Sequence, residues 1–333
     1  MNDAKSSSAT ATTGTAEPGR PYRGRFAPTP SGPLHFGSLV AAVGSFLEAR
    51  SRHGDWLVRI EDLDPPRERP GAAEDILATL DNCGLHWDGP VMRQSARTAA
   101  YEAALATLES AGHLRRCFCS RAQLAELPEN RTREPGEELY HPPGCLPAHQ
   151  DAGMQPALRF RAPDRDVEFV DRVQGPQIAN VARTVGDYVL RRRDGLFAYQ
   201  LAVVVDDAAQ GITDVVRGAD LLSSTARQIV LQQALALPHP TYMHLPIAVG
   251  DSGLKLSKSA DAPDLSGASA AAQVVAALEF LRQAPPAGLQ RAPLAEIWQW
   301  AVAHWRPGLA AGMKTGTVPR TRAADESLGS SSK

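Results

Sequence analysis

The apolar and polar positions divide the chain into alternating strand-like and helix-like segments. A short apolar run ends at Arg25-Phe26-Ala27 and reads as a strand. Pro28, Pro30, Ser31, Gly32 and Pro33 then exclude helix and sheet alike. Residues 39–47 are nearly all small or apolar and predict a helix. Residues 56–60 predict a second strand, running into Glu61-Asp62-Leu63-Asp64 and a Pro-Pro break. Residues 72–83 and 96–111 carry apolar side chains at helical spacing. Strand, helix, strand, helix is the pattern of a parallel α/β sheet. The character changes at Cys117: residues 117–163 are interrupted by prolines and charges and read as an irregular insertion. Strand-like runs return at 188–190 and 197–205, followed by a helix over 219–237 and a strand over 242–249. A glycine- and lysine-bearing loop spans 251–259, and helices are predicted over 268–281 and 293–304.

These segments suggest a tail over 1–23, a first half-domain over 24–116 and an insertion over 117–170. A second half-domain covers 171–265, a helical part 266–309, and a tail expected to fray 310–333. At 333 residues the chain can bury one large core or two domains. Its net charge of -2 argues against broad electrostatic coating of nucleic acid but leaves room for a local basic groove. The first 23 residues are rich in Ser, Thr, Ala and Gly, without the apolar core of a signal peptide, and are expected to be disordered. No run reaches the roughly 18 apolar residues of a membrane span. Three of the four cysteines, Cys117, Cys119 and Cys145, fall in one short segment. That favours a metal site in a reducing, cytoplasmic setting over a disulfide framework. Cys83, alone at a helix end, reads as a core residue.

The stretch Arg25–Ser38 therefore reads as strand, rigid loop and helix, with His35 at the helix mouth. A helix N-terminus carries unpaired N–H groups and suits a phosphate. Neither G-x-x-x-x-G-K-[ST] nor G-x-G-x-x-G occurs at this turn, so a nucleotide must be held in another way. Lys255 and Lys258 sit three apart, with Ser257 between them and Ser259 after. Two ammonium groups on a loop can hold a triphosphate and neutralise a departing pyrophosphate. Taken alone, such a pair reads as a solvated turn.

Together, the His-x-Gly turn and Lys-Leu-Ser-Lys-Ser resemble the two signatures of the class I aminoacyl-tRNA synthetases. RFAPTPSGPLHFGSL, RIEDLD, YQLAVVVDD, GITDVVRGADLL and KLSKS, in that order over 24–259, are similar to the glutamyl branch of that family. Within it they look like the short members that modify queuosine in tRNA(Asp). The resemblance implies an ATP-dependent ligase with a Rossmann-like parallel sheet, a zinc-bearing insertion and a small helical C-terminal part. It implies catalytic roles for His35, Gly37 and Lys258, and ATP held by His35, Gly37, Ser38, Lys255 and Lys258 with Mg2+. Ser38 stands where the family usually has a second histidine. L-Glutamate is then expected on Arg25, Phe26, Ala27, Pro28, Thr29, Glu61, Tyr199 and Arg217. These residue types suit a substrate with two carboxylates and one ammonium. Arginine pairs with carboxylate bidentately, Glu61 can take the ammonium, and Tyr199 can donate a phenolic hydrogen bond.

Cys117-x-Cys119 with Cys145 offers three thiolates where zinc takes four ligands; buried reduced cysteines are the plainer alternative. The resemblance implies one structural Zn2+ on Cys117, Cys119, Tyr140 and Cys145. Its spacing from tyrosine to the last cysteine is one residue shorter than the Tyr140–Cys145 spacing here, which leaves His141 as the other choice for that ligand. After Ser259 only 74 residues follow, room for a helical piece but not for a large anticodon-binding part. The implied reaction activates L-glutamate with ATP, without tRNA, to glutamyl-adenylate. The glutamyl group then passes to the cyclopentene-diol of queuosine at position 34 of tRNA(Asp). A monomer with no membrane partner is expected. The alternatives are a truncated glutamyl-tRNA synthetase charging the 3′ end, a silent binding paralogue, or another nucleotidyl transferase.

Overall fold

The computed structural model describes residues 20–133, 138–143, 155–250 and 268–317. The expectations for 1–19, 251–267 and 318–333 lie outside the described residues. The first part of the chain forms β1 (Arg23–Phe26), α1 (Phe36–Ser51), β2 (Asp55–Ile60), α2 (Ala72–Asn82), β3 (Met92–Arg93) and α3 (Thr98–Ser110). The middle forms β4 (Leu114–Cys117), α4 (Arg121–Ala125), β5 (Ala157–Phe160), β6 (Asp166–Asp171), β7 (Gly175–Asn180), α5 (Val181–Thr184) and β8 (Tyr188–Arg191). Then come α6 (Tyr199–Ala209), β9 (Asp214–Gly218), α7 (Thr225–Ala234), β10 (Thr241–Leu245) and β11 (Ile247–Val249). Last are α8 (Ala270–Phe280), α9 (Leu294–His304) and β12 (Thr315–Thr317).

The expected parallel sheet is present. β1, β2 and β3 pair in parallel, and β9, β10 and β6 do the same, with β7 antiparallel at the far edge. The two groups meet where β1 lies beside β9. There the Thr213 N–H donates to the Arg23 carbonyl at 2.9 Å, and the Arg23 N–H to Thr213 Oγ1 at 2.8 Å. Across the junction the order is 3-2-1-9-10-6-7, so the chain winds outward in both directions from the β1/β9 pair. In open α/β sheets that reversal opens a crevice at the carboxyl ends of the strands.

Helix α1 closes one side of the crevice. Leu39, Val43 and Leu47 are wholly buried. The helix rides so close to β10 that a Cβ on Gly44 would fall 2.4 Å from Leu245 Cδ1. Its far side meets α8 and α9, with the Phe46 ring between Trp56 and Trp298. A second core joins α3, α6, α7 and β8 around Tyr101, Leu190 and Leu201.

Five expectations change. The run over 197–205 is not a strand: Tyr199–Ala209 is helical, packed against α3 and α7. A continuous apolar run fits a buried helix as well as a buried strand, and Val203, Val204 and Val205 tilted the reading towards strand. The strand over 242–249 splits at Pro246, which cannot donate to a ladder. The helix over 219–237 starts as 3-10 turns at Ala219–Ser224 before α7. Order also extends past the expected tail boundaries: Tyr22 is buried, and β12 pairs with β11 through Thr317. The middle segment is irregular only in part, since β5 pairs with β4 and β8, and β6 joins the main sheet. Among the described residues no helix is long and apolar enough to cross a membrane.

Candidate active site

A cavity of about 560 Å3 opens at the β1/β9 junction, within the usual size of small-ligand sites. Arg25, Phe26, Ala27, Pro28 and Thr29 line it from the end of β1, and Glu61 from the end of β2. Arg217 and Gly218 come from β9, Leu245 to Ala248 from β10 and the start of β11, and His35, Gly37 and Ser38 from the mouth of α1. Tyr199, at the first turn of α6, completes the wall. All the sequence-predicted glutamate residues thus meet in one place, together with the described part of the ATP set. Lys255 and Lys258 lie outside the described residues.

The loop after β1 is rigid for a local reason. Prolines fix its backbone, and the Pro28 carbonyl accepts the Glu61 N–H at 2.9 Å, tying the ends of β1 and β2 together. His35 caps α1: its backbone is extended, and its Nδ1 accepts the Ser38 N–H at 3.2 Å. Ser38 Oγ lies 3.1 Å from His35 Nε2, so the serine braces the histidine. No acidic residue occupies the first turn of α1, which leaves its positive end uncompensated there.

The two pocket arginines differ. Arg25 is already engaged: its Nε and Nη2 donate to Asp207 Oδ1 and Oδ2 at 3.1 and 3.3 Å. Asp207 also accepts from Arg59 Nη1 at 2.7 Å, and Arg59 Nη2 lies 3.4 Å from Glu61 Oε1. Burial alone would raise the Asp207 pKa, but Arg25 and Arg59 hold it below the ordinary aspartate value. Glu61 goes the other way: burial pushes its carboxyl up, and Arg59 and Arg25 offset this only in part.

Arg217 is 5% exposed and forms no ion pair among the described residues. Its neighbours are neutral. Nε donates to His244 Nε2 at 3.0 Å, Nη2 to Thr225 Oγ1 at 3.0 Å, and Nη1 to the Tyr199 hydroxyl at 3.3 Å. The guanidinium also lies 5.6 Å from the Tyr242 ring centre. Burial raises the Tyr199 pKa, so the phenol keeps its proton. A buried guanidinium without a counter-charge marks a place for an anionic ligand.

Asp207, Arg59, His244, Asp171 and Thr225 were not singled out from the sequence. The double acid of VVVDD was quoted in a motif, but its role needed α6 to be a helix. His244 carried no signal beyond being a histidine in an apolar strand.

A second cluster lies in the middle segment. The ligand atoms of Cys117, Cys119 and His141 all fall within 4.8 Å of one another. His141 is wholly buried, with Nε2 3.2 Å from Cys117 Sγ and Nδ1 without a hydrogen-bond partner among the described residues. Its backbone is pinned against Gly186, where a Cβ would fall 1.7 Å from the His141 carbonyl oxygen. Burial opposes ionisation of Cys117, yet the His141 hydrogen bond and the Arg159 charge hold its thiol below the usual value. Two thiols and a buried imidazole fit zinc. His141, one of the two choices left open for that ligand, is gathered with the thiols, and counting from it gives the shorter spacing to Cys145. Tyr140 is fixed through its backbone by Asn130. Cys145 lies outside the described residues.

Comparison with known proteins places these features in context. The family model for the catalytic domain of class I tRNA synthetases (E and Q) matches residues 22–291. A glutamyl-Q tRNA(Asp) synthetase of Aromatoleum aromaticum is 55% identical over 285 residues, covering 86% of this chain and 89% of that protein. One from Dechloromonas aromatica is 54% identical over 288 residues, covering 86% and 94%. One from Pseudomonas aeruginosa is 53% identical over 284 residues, covering 85% and 93%. Among solved structures, a glutamate tRNA ligase of Elizabethkingia meningosepticum in complex with its amino acid superimposes with a TM-score of 0.73 at 24% identity. That match covers 90% of this chain and 67% of the ligase, and it bears on the fold alone.

Proposed function

Since the chain belongs to the glutamyl-Q tRNA(Asp) synthetases, a ligase family within the class I tRNA synthetases for glutamate and glutamine, we propose that it activates L-glutamate with ATP and passes the glutamyl group to queuosine at position 34 of tRNA(Asp). The observation that carries the glutamate reading is Arg217. It is a buried guanidinium without a carboxylate partner among the described residues, in one cavity with Glu61 and Arg25. An amino acid with two carboxylates and one ammonium satisfies this set. One carboxylate pairs with Arg217 and Tyr199, the ammonium with Glu61, and Arg25 together with the loop after β1 borders the remainder.

In the first step an oxygen of the substrate carboxylate attacks the α-phosphorus of ATP, and pyrophosphate leaves. The phosphates lie at the mouth of α1, where His35 and the unpaired N–H groups face them and Gly37 leaves the backbone open. Lys255 and Lys258 neutralise the charge that grows on the departing pyrophosphate. Mg2+ bound with ATP would supply further screening of the phosphate charges. In the second step a diol hydroxyl of queuosine attacks the acyl carbon of the adenylate, and AMP leaves. Cys117, Cys119 and His141, with Cys145, would hold a structural zinc that would stiffen the middle segment.

The test is labelled glutamate and ATP with tRNA(Asp), with and without queuosine. Label is expected only in the queuosine-bearing tRNA, and it should survive removal of the 3′ terminal nucleotides. Equal labelling of both tRNAs overturns the reading.

A further inference from the structure

Behind Arg217 lies a pair of buried side chains that the reaction scheme does not use. His244 on β10 stands opposite Arg217 on β9 in the parallel register. His244 Nδ1 is 2.6 Å from Asp171 Oδ2, and neither side chain has any exposure. On the other side of the ring, His244 Nε2 receives Arg217 Nε–H at 3.0 Å. An arginine Nε–H can only donate, so His244 Nε2 must present its lone pair. The ring proton is then on Nδ1 and is donated to Asp171. Burial and the nearby Arg217 charge lower the His244 pKa while Asp171 opposes them, so the imidazole stays neutral.

Asp171 is itself fixed in one orientation. Its Oδ1 accepts three backbone N–H groups, from Val173 at 3.0 Å, Gln174 at 2.8 Å and His244 at 3.1 Å. Only Oδ2 faces the imidazole. We infer that Asp171 and His244 are positioning residues, which set the His244 tautomer and thereby aim the Arg217 guanidinium at the substrate carboxylate. This rests on the glutamate reading of the cavity and deepens it. With Nε held by His244 and Nη2 by Thr225, the Nη1 edge beside Tyr199 is the part of the fork left for a ligand.

The arrangement makes Asp171→Asn informative. The three backbone N–H groups claim the asparagine oxygen, so the amide NH2 replaces Oδ2 against His244 Nδ1. A donor there forces the ring proton onto Nε2, where it meets the Arg217 Nε–H donor to donor. Glutamate-dependent ATP–pyrophosphate exchange reads the outcome. In Asp171→Asn the KM for glutamate is expected to rise about tenfold or more, with the KM for ATP unchanged. His244→Gln, which keeps an acceptor amide near the Nε2 position, should retain a lower glutamate KM than His244→Leu. Arg217→Ala should absorb the effect, so that adding Asp171→Asn to it changes little. A wild-type glutamate KM in Asp171→Asn, or equal values in the His244 Gln and Leu variants, overturns the inference. Wild-type protein without any glutamate-dependent exchange instead overturns the pocket reading beneath it, so the two failures are distinct. Should Asp171→Asn fail to fold, the His244 pair decides alone.

Discussion

Arg25 and Asp207 meet through two hydrogen bonds, Nε to Oδ1 at 3.1 Å and Nη2 to Oδ2 at 3.3 Å, with both side chains buried. Arg59, wholly buried, donates to the same Oδ1 at 2.7 Å. One carboxylate therefore compensates two guanidinium groups at the back of the pocket. Asp207→Asn keeps the shape and removes the charge, leaving Arg25 buried without its carboxylate partner and Arg59 with only the longer contact to Glu61 at 3.4 Å. The cost should be about 3 kcal/mol or more, read as a lower urea midpoint. The same group gives an acid-side signature. Its folded pKa is depressed, so its contribution is present above the ordinary aspartate pKa and lost as the pH falls through the depressed value.

Arg217 and Lys258 should separate in kinetics. Arg217→Ala removes a partner of the substrate carboxylate, and the KM for glutamate in pyrophosphate exchange should rise about thirtyfold or more. ATP saturation should hardly change. Lys258→Ala should slow exchange at saturating glutamate more than it weakens glutamate binding, because its charge opposes one that develops during the reaction. An Arg217→Ala variant with unchanged glutamate dependence would remove that residue from the pocket.

The sequence disclosed the surface of this site better than its support. Arg25, Glu61, Tyr199 and Arg217 sit in spaced motifs and do line one cavity. The alternation of strand and helix likewise foretold the parallel sheet at whose switch point that cavity opens. Asp207 stayed hidden because 197–205 read as a strand. Eight residues of strand would place Asp207 about 26 Å from Tyr199, whereas eight residues of helix place it about 12 Å away. Only the helix lets one element supply both the phenol of the wall and the carboxylate behind Arg25. Asp171 is harder still, since its bond to His244 joins residues 73 apart through strand pairing that no local pattern encodes. His141 was legible as an alternative, and the fold that pins it against Gly186 gathers it with the Cys117 and Cys119 thiols.

The Cys117, Cys119 and His141 cluster gives a composition test. Purified protein should carry about one zinc per chain by elemental analysis, as expected of a closed tetrahedral site. His141→Ala should weaken zinc retention against a chelator about tenfold or more, while Tyr140→Phe should retain it as the wild type does. Loss in Tyr140→Phe with retention in His141→Ala would reverse the assignment. Chelation should lower the melting temperature without changing the glutamate KM of the remaining folded protein, because the cluster lies outside the cavity lining.

Glu61 predicts the pH dependence of glutamate binding. Burial raises its pKa above the usual glutamate value, with Arg59 and Arg25 opposing. A substrate ammonium needs the carboxylate form, so binding at acid pH must first expel a proton. Glutamate affinity should therefore rise with pH through the raised Glu61 pKa and level off above it. Calorimetry over about pH 5 to pH 8 tests this, since proton release on binding should be seen at the acid end and vanish at the plateau. In the unliganded protein the sign reverses. Ionising a buried acid costs stability as the pH rises through its raised value, and bound ammonium cancels that cost. The thermal shift produced by glutamate should accordingly grow with pH over the same range. Glu61→Gln should bind glutamate weakly and lose both trends, which separates Glu61 from the substrate's own carboxyls. A wild-type pH profile retained in Glu61→Gln would place the ammonium elsewhere.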